Sequence, residues 1–135
     1  PLIGNYGVGG DETDHFGLPR WFESDKIHAA ALVIGSLTED YCHWSAKKSL
    51  SQWLKEQNVP GICGIDTRAL TKKIRENGTL LGKLIIGNDN GLKFIDPDKF
   101  NLVSEVSSKV TKVYNPDGDI KIVAVDCGMK YNQIR

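Results

Sequence analysis

Val59-Pro-Gly-Ile-Cys-Gly-Ile-Asp-Thr-Arg-Ala-Leu-Thr-Lys-Lys-Ile-Arg-Glu-Asn-Gly-Thr-Leu-Leu-Gly-Lys-Leu84 reads as a short strand, a capped helix and a second strand. Residues 61–65 are small and apolar, as in a strand covered on both faces. Asp66 and Thr67 break the run, and either side chain can accept a hydrogen bond from a free N–H of a first helical turn. The charge of Asp66 also suits the positive end of the helix dipole. Leu70 and Ile74 are four apart and share a face that Ala69 widens, and Asn77-Gly78 supplies the residue that closes the helix. This gives a helix of about ten residues. So short a helix is marginal alone in water, which predicts that Leu70 and Ile74 pack against neighbouring strands.

Outward from this stretch, the β-rich apolar run 27–34 predicts a strand. Residues 45–57, with Ala46, Leu50, Trp53 and Leu54 at helical spacing, predict a helix ended by Asn58 and Pro60, and residues 80–86 predict a third strand. Strand, helix, strand, helix, strand is an α/β order, a sheet with helices packed on it. Residues 1–10 hold four glycines and read as a short strand turning into a loop. Residues 11–14 are acidic, and residues 16–22 concentrate aromatic side chains in a packed turn. Turns are expected at 87–91 and 96–98. Residues 102–113 alternate as an exposed strand or extended connector would, and Asn115-Pro-Asp-Gly118 is a turn and a domain boundary. Beyond it, residues 120–125 predict a new buried strand, with a helix starting near Met129.

The 135 residues suffice for one domain with a core. Pro1 in place of Met, and Arg135 inside what reads as a first helical turn, lead us to expect a segment of a longer chain. Seventeen basic residues balance seventeen acidic ones, so no global field draws the chain to nucleic acid or an anionic membrane, and neither partner is expected. No apolar run approaches the ~20 residues that span a bilayer. Three cysteines, Cys42, Cys63 and Cys127, are odd in number and far apart, which excludes a complete disulfide framework and offers no zinc-type pair. A reducing, cytoplasmic location is expected. The glycines at 4, 7, 9 and 10 lack the order of a dinucleotide or phosphate loop and read as a loop needing positive φ.

The run Gly64-Ile-Asp-Thr-Arg-x-Leu-Thr-Lys-x-Ile-Arg-x-x-Gly78-x-x-x-Gly-Lys83 resembles the small (glutaminase) subunit of carbamoyl-phosphate synthase. The likeness extends to Pro1-Leu-Ile-Gly-Asn-Tyr-Gly7, to His43-Trp-Ser45 with Leu50 and Trp53-Leu54, and to Val125-Asp-Cys-Gly-Met-Lys-Tyr-Asn-Gln-Ile-Arg135. Its wording is similar to the animal pyrimidine-pathway form, in which the synthase is fused to aspartate transcarbamylase and dihydroorotase; the urea-cycle paralogue is the near alternative. One departure is Gly9, where the family usually has proline. The resemblance implies a layered β/β/α N-terminal domain over residues 1–113, a linker over 114–119, and over 120–135 the first strand of a class I glutamine amidotransferase domain. It implies a parent that uses glutamine, bicarbonate and ATP, with Mg²⁺, to make carbamoyl phosphate. Its partners would be the synthetase portion and the amidotransferase domain of the same enzyme. None of the family's catalytic triad positions falls in this chain, so no catalytic, cofactor-binding or metal residue is expected here, and the segment is expected to be inactive.

Against that background the reactive side chains read mostly as structural. Cys127 ends a strand before a glycine and a helix, where a thiol pKa can fall, but its position is outside the family's triad, and packing is the expected role. Cys42 and His43 are adjacent, and sequence neighbours usually point apart, so His43 is expected to order the loop before the helix. Cys63 reads as a small core residue. Arg68, Lys72 and Arg75 form a basic stripe beside the apolar face of their helix. It is either a solvated face or a docking stripe for an acidic partner surface. The resemblance favours docking onto the synthetase portion, and arginine, which grips carboxylates with two prongs, favours it too. A stand-alone interaction module and a thiol enzyme using Cys127 or Cys42 are the readings from other classes.

Overall fold

The computed structural model describes residues 2–89 and 91–135; Pro1, in the first expected strand, and Asn90, in the expected turn 87–91, lie outside them. The chain divides into two units, one of Pro1–Gly10 with Lys26–Ile95 and one of Asp11–Asp25 with Asp96–Arg135.

In the first unit, β4 (Gly61–Ile62) pairs in parallel with β2 (Leu32–Val33). Leu32 N donates to Pro60 O and Ile34 N to Ile62 O, both at 2.9 Å, and just beyond the pair Gly64 N donates to Gly35 O at 2.8 Å. Parallel strands cannot be joined by a tight turn, so the chain between them is a crossover. It contains β3 (Ala46–Lys48) and α1 (Leu50–Glu56). Leu54 on α1 is buried and its Cδ1 lies against Gly61. β3 in turn pairs antiparallel with β1 (Val8–Gly9) across a bulge. Gly7, with φ of +76°, makes this approach possible: a Cβ there would stand 2.7 Å from the Tyr41 Cβ and 2.8 Å from the Ala46 Cβ.

α2 (Thr67–Asn77) forms as its residues require. Of the two candidate caps it is Asp66 that accepts from Ala69 N, at 2.9 Å, while Thr67 enters the helix and its carbonyl takes the Thr71 hydroxyl. Gly78 closes it at φ +76°. The burial expected of Leu70 and Ile74 is only partial, 38% and 42% of each remaining exposed. The reason lies in the strand expected at 80–86, which does not form: no described residue offers it a ladder, and a strand exists only by pairing.

Other expectations are corrected by local competition. The helix expected over 45–57 starts at Leu50, because the Ser49 hydroxyl caps Gln52 N at 3.1 Å and residues 46–48 find a strand partner first. The strand over 27–34 is confined to Leu32–Val33, the stretch that β4 can pair.

In the second unit, residues 12–20 fold back on themselves, with Arg20 N donating to Glu12 O, Asp14 N to Leu18 O, and Leu18 buried. Residues 102–113 do not run as a strand: Asn101 caps Ser104 N at 3.0 Å and starts α3 (Leu102–Val106). Asn115 and Gly118 close the expected turn, with Gly118 N donating to Asn115 O at 3.1 Å. The buried strand expected over 120–125 is also absent; Ile120, Ile122, Val123 and Val125 are 82–94% exposed, since no described strand lies alongside. Near Met129 the helix is reduced to a 3₁₀ turn at Tyr131–Gln133. The result is an α/β chain with two two-stranded sheets and three short helices among the described residues.

Burial sets the order of mutational costs. Leu54→Ala, which empties a covered site, is expected to cost about 2–4 kcal/mol, and Ile74→Ala clearly less, because part of its surface already faces water. Thermal unfolding of the two variants checks this; an equal or larger loss for Ile74→Ala would refute the packing described.

Candidate docking face

α2 carries the basic stripe. At about 100° per residue, Arg68, Lys72 and Arg75 fall within roughly 60° of arc, and that arc is centred roughly 150° from the Leu70 and Ile74 pair. The stripe therefore lies opposite the apolar face rather than beside it. All three side chains are exposed, and among the described residues none of them forms an ion pair. By contrast Lys48 is committed to Glu56 at 2.6 Å and Lys83 lies 3.6 Å from Asp89 and over the Phe94 ring. Three uncommitted cations on one rigid face can meet carboxylates without first breaking an internal pair.

The Cys42 and His43 side chains address different partners. The thiol lies 3.4 Å from Asn5 O, while His43 Nδ1 lies 2.7 Å from the Ser45 hydroxyl and accepts from Ser45 N at 3.3 Å. His43 O also accepts from Ala46 N, at 2.9 Å, so the residue organises the approach to β3. Tyr6 meets the imidazole edge-on at 5.8 Å and Trp44 flanks it at 5.4 Å. Together with Gly7, Gly9, Ser45 and Ala46, Tyr6 and His43 line an open cleft of about 410 Å³. Tyr6 is a partner of His43 that the sequence does not announce, because the two lie too far apart along the chain for any local signal to join them.

The two cysteines expected to pack are exposed. Cys63 follows directly on Ile62, the last residue of β4, outside the paired strand. Cys127 occupies a turn pinned by Asp126, whose Oδ1 accepts from Gly128 N and Met129 N, both at 2.8 Å. Gly128, at φ +110°, lies against Val106 of α3; a Cβ there would come within 2.9 Å of it. The Met129 amide, then the Gly128 amide, hold the Asp126 carboxyl below its ordinary value against a smaller effect of desolvation, and the charge of Lys112 adds to them. Among the described residues no group of three His, Cys, Asp or Glu side chains could hold a metal ion. Among them, too, no helix is long and apolar enough to cross a membrane.

The Asp126 turn carries a signed pH dependence. Because the carboxyl is lowered on folding, its contribution is present above the ordinary aspartate value and is lost as pH falls through the folded value. Asp126→Asn, which retains an acceptor but no charge, is expected to lower stability near neutrality and to flatten the acid limb. Unfolding followed between about pH 6 and about pH 3 checks it; an unchanged acid limb would show the amide bonds to be inconsequential.

Comparison with known proteins adds the family. Residues 1–84 match the model for the carbamoyl-phosphate synthase small chain, CPSase domain. The multifunctional protein CAD of Squalus acanthias is 63% identical over 137 residues, covering 100% of this chain and 6% of that protein. The mitochondrial ammonia-type carbamoyl-phosphate synthase of Rattus norvegicus is 50% identical, covering 100% of this chain and 9% of its own length. The arginine-specific carbamoyl phosphate synthase small chain of Chaetomium globosum is 43% identical, with 100% of this chain and 30% of that one covered. The chain thus spans less than a third of the length of each of these relatives. Since the family model spans more than half of its residues, including the Asp66-capped helix and its basic stripe, this chain belongs to the carbamoyl-phosphate synthase small-chain family.

Proposed function

We propose that the chain is a non-catalytic segment of a glutamine-hydrolysing carbamoyl-phosphate synthase serving the first step of pyrimidine synthesis. The observation that carries this reading is the 63% identity, over the whole chain, to a multifunctional CAD protein, against 50% to a mitochondrial ammonia-type enzyme. In the parent, a cysteine of the amidotransferase domain attacks glutamine and releases ammonia. The synthetase portion phosphorylates bicarbonate with ATP, and Mg²⁺ supplies charge neutralisation for the phosphates there. Ammonia displaces phosphate to give carbamate, which a second ATP converts to carbamoyl phosphate. This chain's residues would position rather than react.

On this reading residues 1–113 belong to the layered β/β/α N-terminal domain, 114–119 to a linker, and 120–135 to the opening of the amidotransferase domain. The exposed apolar run 120–125 then pairs with strands supplied by that domain, and the enzyme works in the cytoplasm. Arg68, Lys72 and Arg75 dock on acidic side chains of the synthetase portion; their exposure and freedom from internal ion pairs among the described residues support this.

Two measurements test the proposal. The isolated segment is expected to release no ammonia from glutamine, and turnover abolished by Cys127→Ser would overturn the non-catalytic assignment. In the intact enzyme, reversing Arg68 and Arg75 to Glu is expected to leave stability within about 0.5 kcal/mol while weakening glutamine-dependent synthesis, with ammonia-dependent synthesis preserved. Equal loss of both activities, or loss of neither, would return the stripe to a solvated surface.

A further inference from the structure

The acidic loop near residue 14 makes contacts that the proposed function does not use. Asp14 Oδ1 accepts from Phe16 N at 2.9 Å and Leu18 N at 3.0 Å, which leaves Oδ2 to accept from Arg135 Nε at 2.7 Å. The two side chains keep only 12% and 22% of their exposure. Glu23 approaches the same place from the other end of the loop. Its carbonyl accepts from Tyr131 N at 3.0 Å, its Oε2 from Asn132 N at 2.8 Å, and its Oε1 lies 3.5 Å from Arg135 Nη1. The remaining guanidinium nitrogen donates to Pro19 O.

Every nitrogen of the Arg135 guanidinium therefore meets the loop, and the partners lie 112–121 residues away in sequence. The loop is also bonded within itself: Thr13 bridges Pro19, Arg20 N reaches Glu12 O at 2.8 Å, and Trp21 Nε1 donates to Glu12 Oε2 at 2.8 Å. The turn it holds is three residues of 3₁₀ helix, too short to be stable by itself. Its first amides have no partner within the turn, and Glu23 supplies acceptors for two of them, acting as a cap delivered from a distant segment.

We propose that Asp14, Glu23 and Arg135 form a clasp by which the 12–23 loop seats the Tyr131–Gln133 turn. It thereby sets the orientation of the segment that opens the amidotransferase domain, a role that rests on the function proposed above. All three are positioning residues, acting on the glutaminase through the backbone they hold.

The test uses the full-length parent enzyme with Arg135→Met, Arg135→Lys and Asp14→Asn. Asp14→Asn keeps the Oδ1 acceptor for Phe16 and Leu18 and removes only the charge that faces Arg135, so the loop itself survives. Hydrogen exchange at the Tyr131 and Asn132 amides is expected to accelerate about tenfold in Arg135→Met and in Asp14→Asn, with Arg135→Lys between them and wild type. The Asp14→Asn, Arg135→Met double variant is expected to be no faster than Arg135→Met alone, the signature of a direct pair. Glutamine-dependent synthesis should fall about tenfold relative to ammonia-dependent synthesis in the same samples, with partial recovery in Arg135→Lys. Unchanged exchange at 131 and 132 would overturn the clasp, and faster exchange with an unchanged ratio of the two activities would overturn its positioning role. A wild-type enzyme without glutamine-dependent synthesis would instead count against the proposed function, and the exchange measurement would still decide the clasp.

Discussion

The parallel pairing of β2 with β4 is the constraint on which the first unit depends. Two parallel strands of two residues each cannot be connected directly, so the intervening residues must leave one end of the pair and return to the other. α1 lies on that return path, and Leu54 meets Gly61 of the paired strand. Past the paired residues Gly64 N donates to Gly35 O and Ile65 N to Ile34 O, and the Asp66-capped α2 follows directly.

Little is buried among the described residues, where Val8, Leu18, Ile34 and Leu54 are the buried hydrophobic side chains. Local order is therefore carried to an unusual degree by side-chain oxygens that satisfy backbone amides. Ser49, Asp66, Asp96 and Asn101 each cap a helix or 3₁₀ turn, Asp14 and Asp126 each hold two amides of a turn, and Glu23 caps a turn from afar. Such a cap is worth about 1 kcal/mol, comparable to a good part of a buried methylene pair. Where such a carboxyl is held below its ordinary value, as the amides of Met129 and Gly128 hold Asp126, folding is linked to pH.

The same division of labour explains where function can reside. Several carboxylates accept from backbone amides while, among the described residues, Arg68, Lys72 and Arg75 form no ion pair, so balanced overall charge coexists with a local cationic face. The thiol of Cys42 is directed to a carbonyl rather than to a base, and His43 is held by Ser45. An exposed cationic face without internal ion pairs among the described residues accords with the docking role proposed for α2.

What the sequence alone determined was local. Asp66, Gly78 and Ser49 announce helix ends because capping depends on residues within three or four positions, and Asn115 with Gly118 announces a turn for the same reason. The family motif and its basic stripe were equally legible, being spacings along one helix. Strands were not: residues 27–34, 80–86 and 120–125 have comparable β-forming composition, yet only Leu32–Val33 became strand, because a strand needs a partner and composition names none. Tertiary structure also decided that 102–106 is helical, that Cys63 and Cys127 are exposed, and that Asp14 and Glu23 close on Arg135 from the far end of the chain. Capping is read from neighbours in sequence, whereas ladders and clasps depend on which distant segments meet, and no local pattern encodes that encounter.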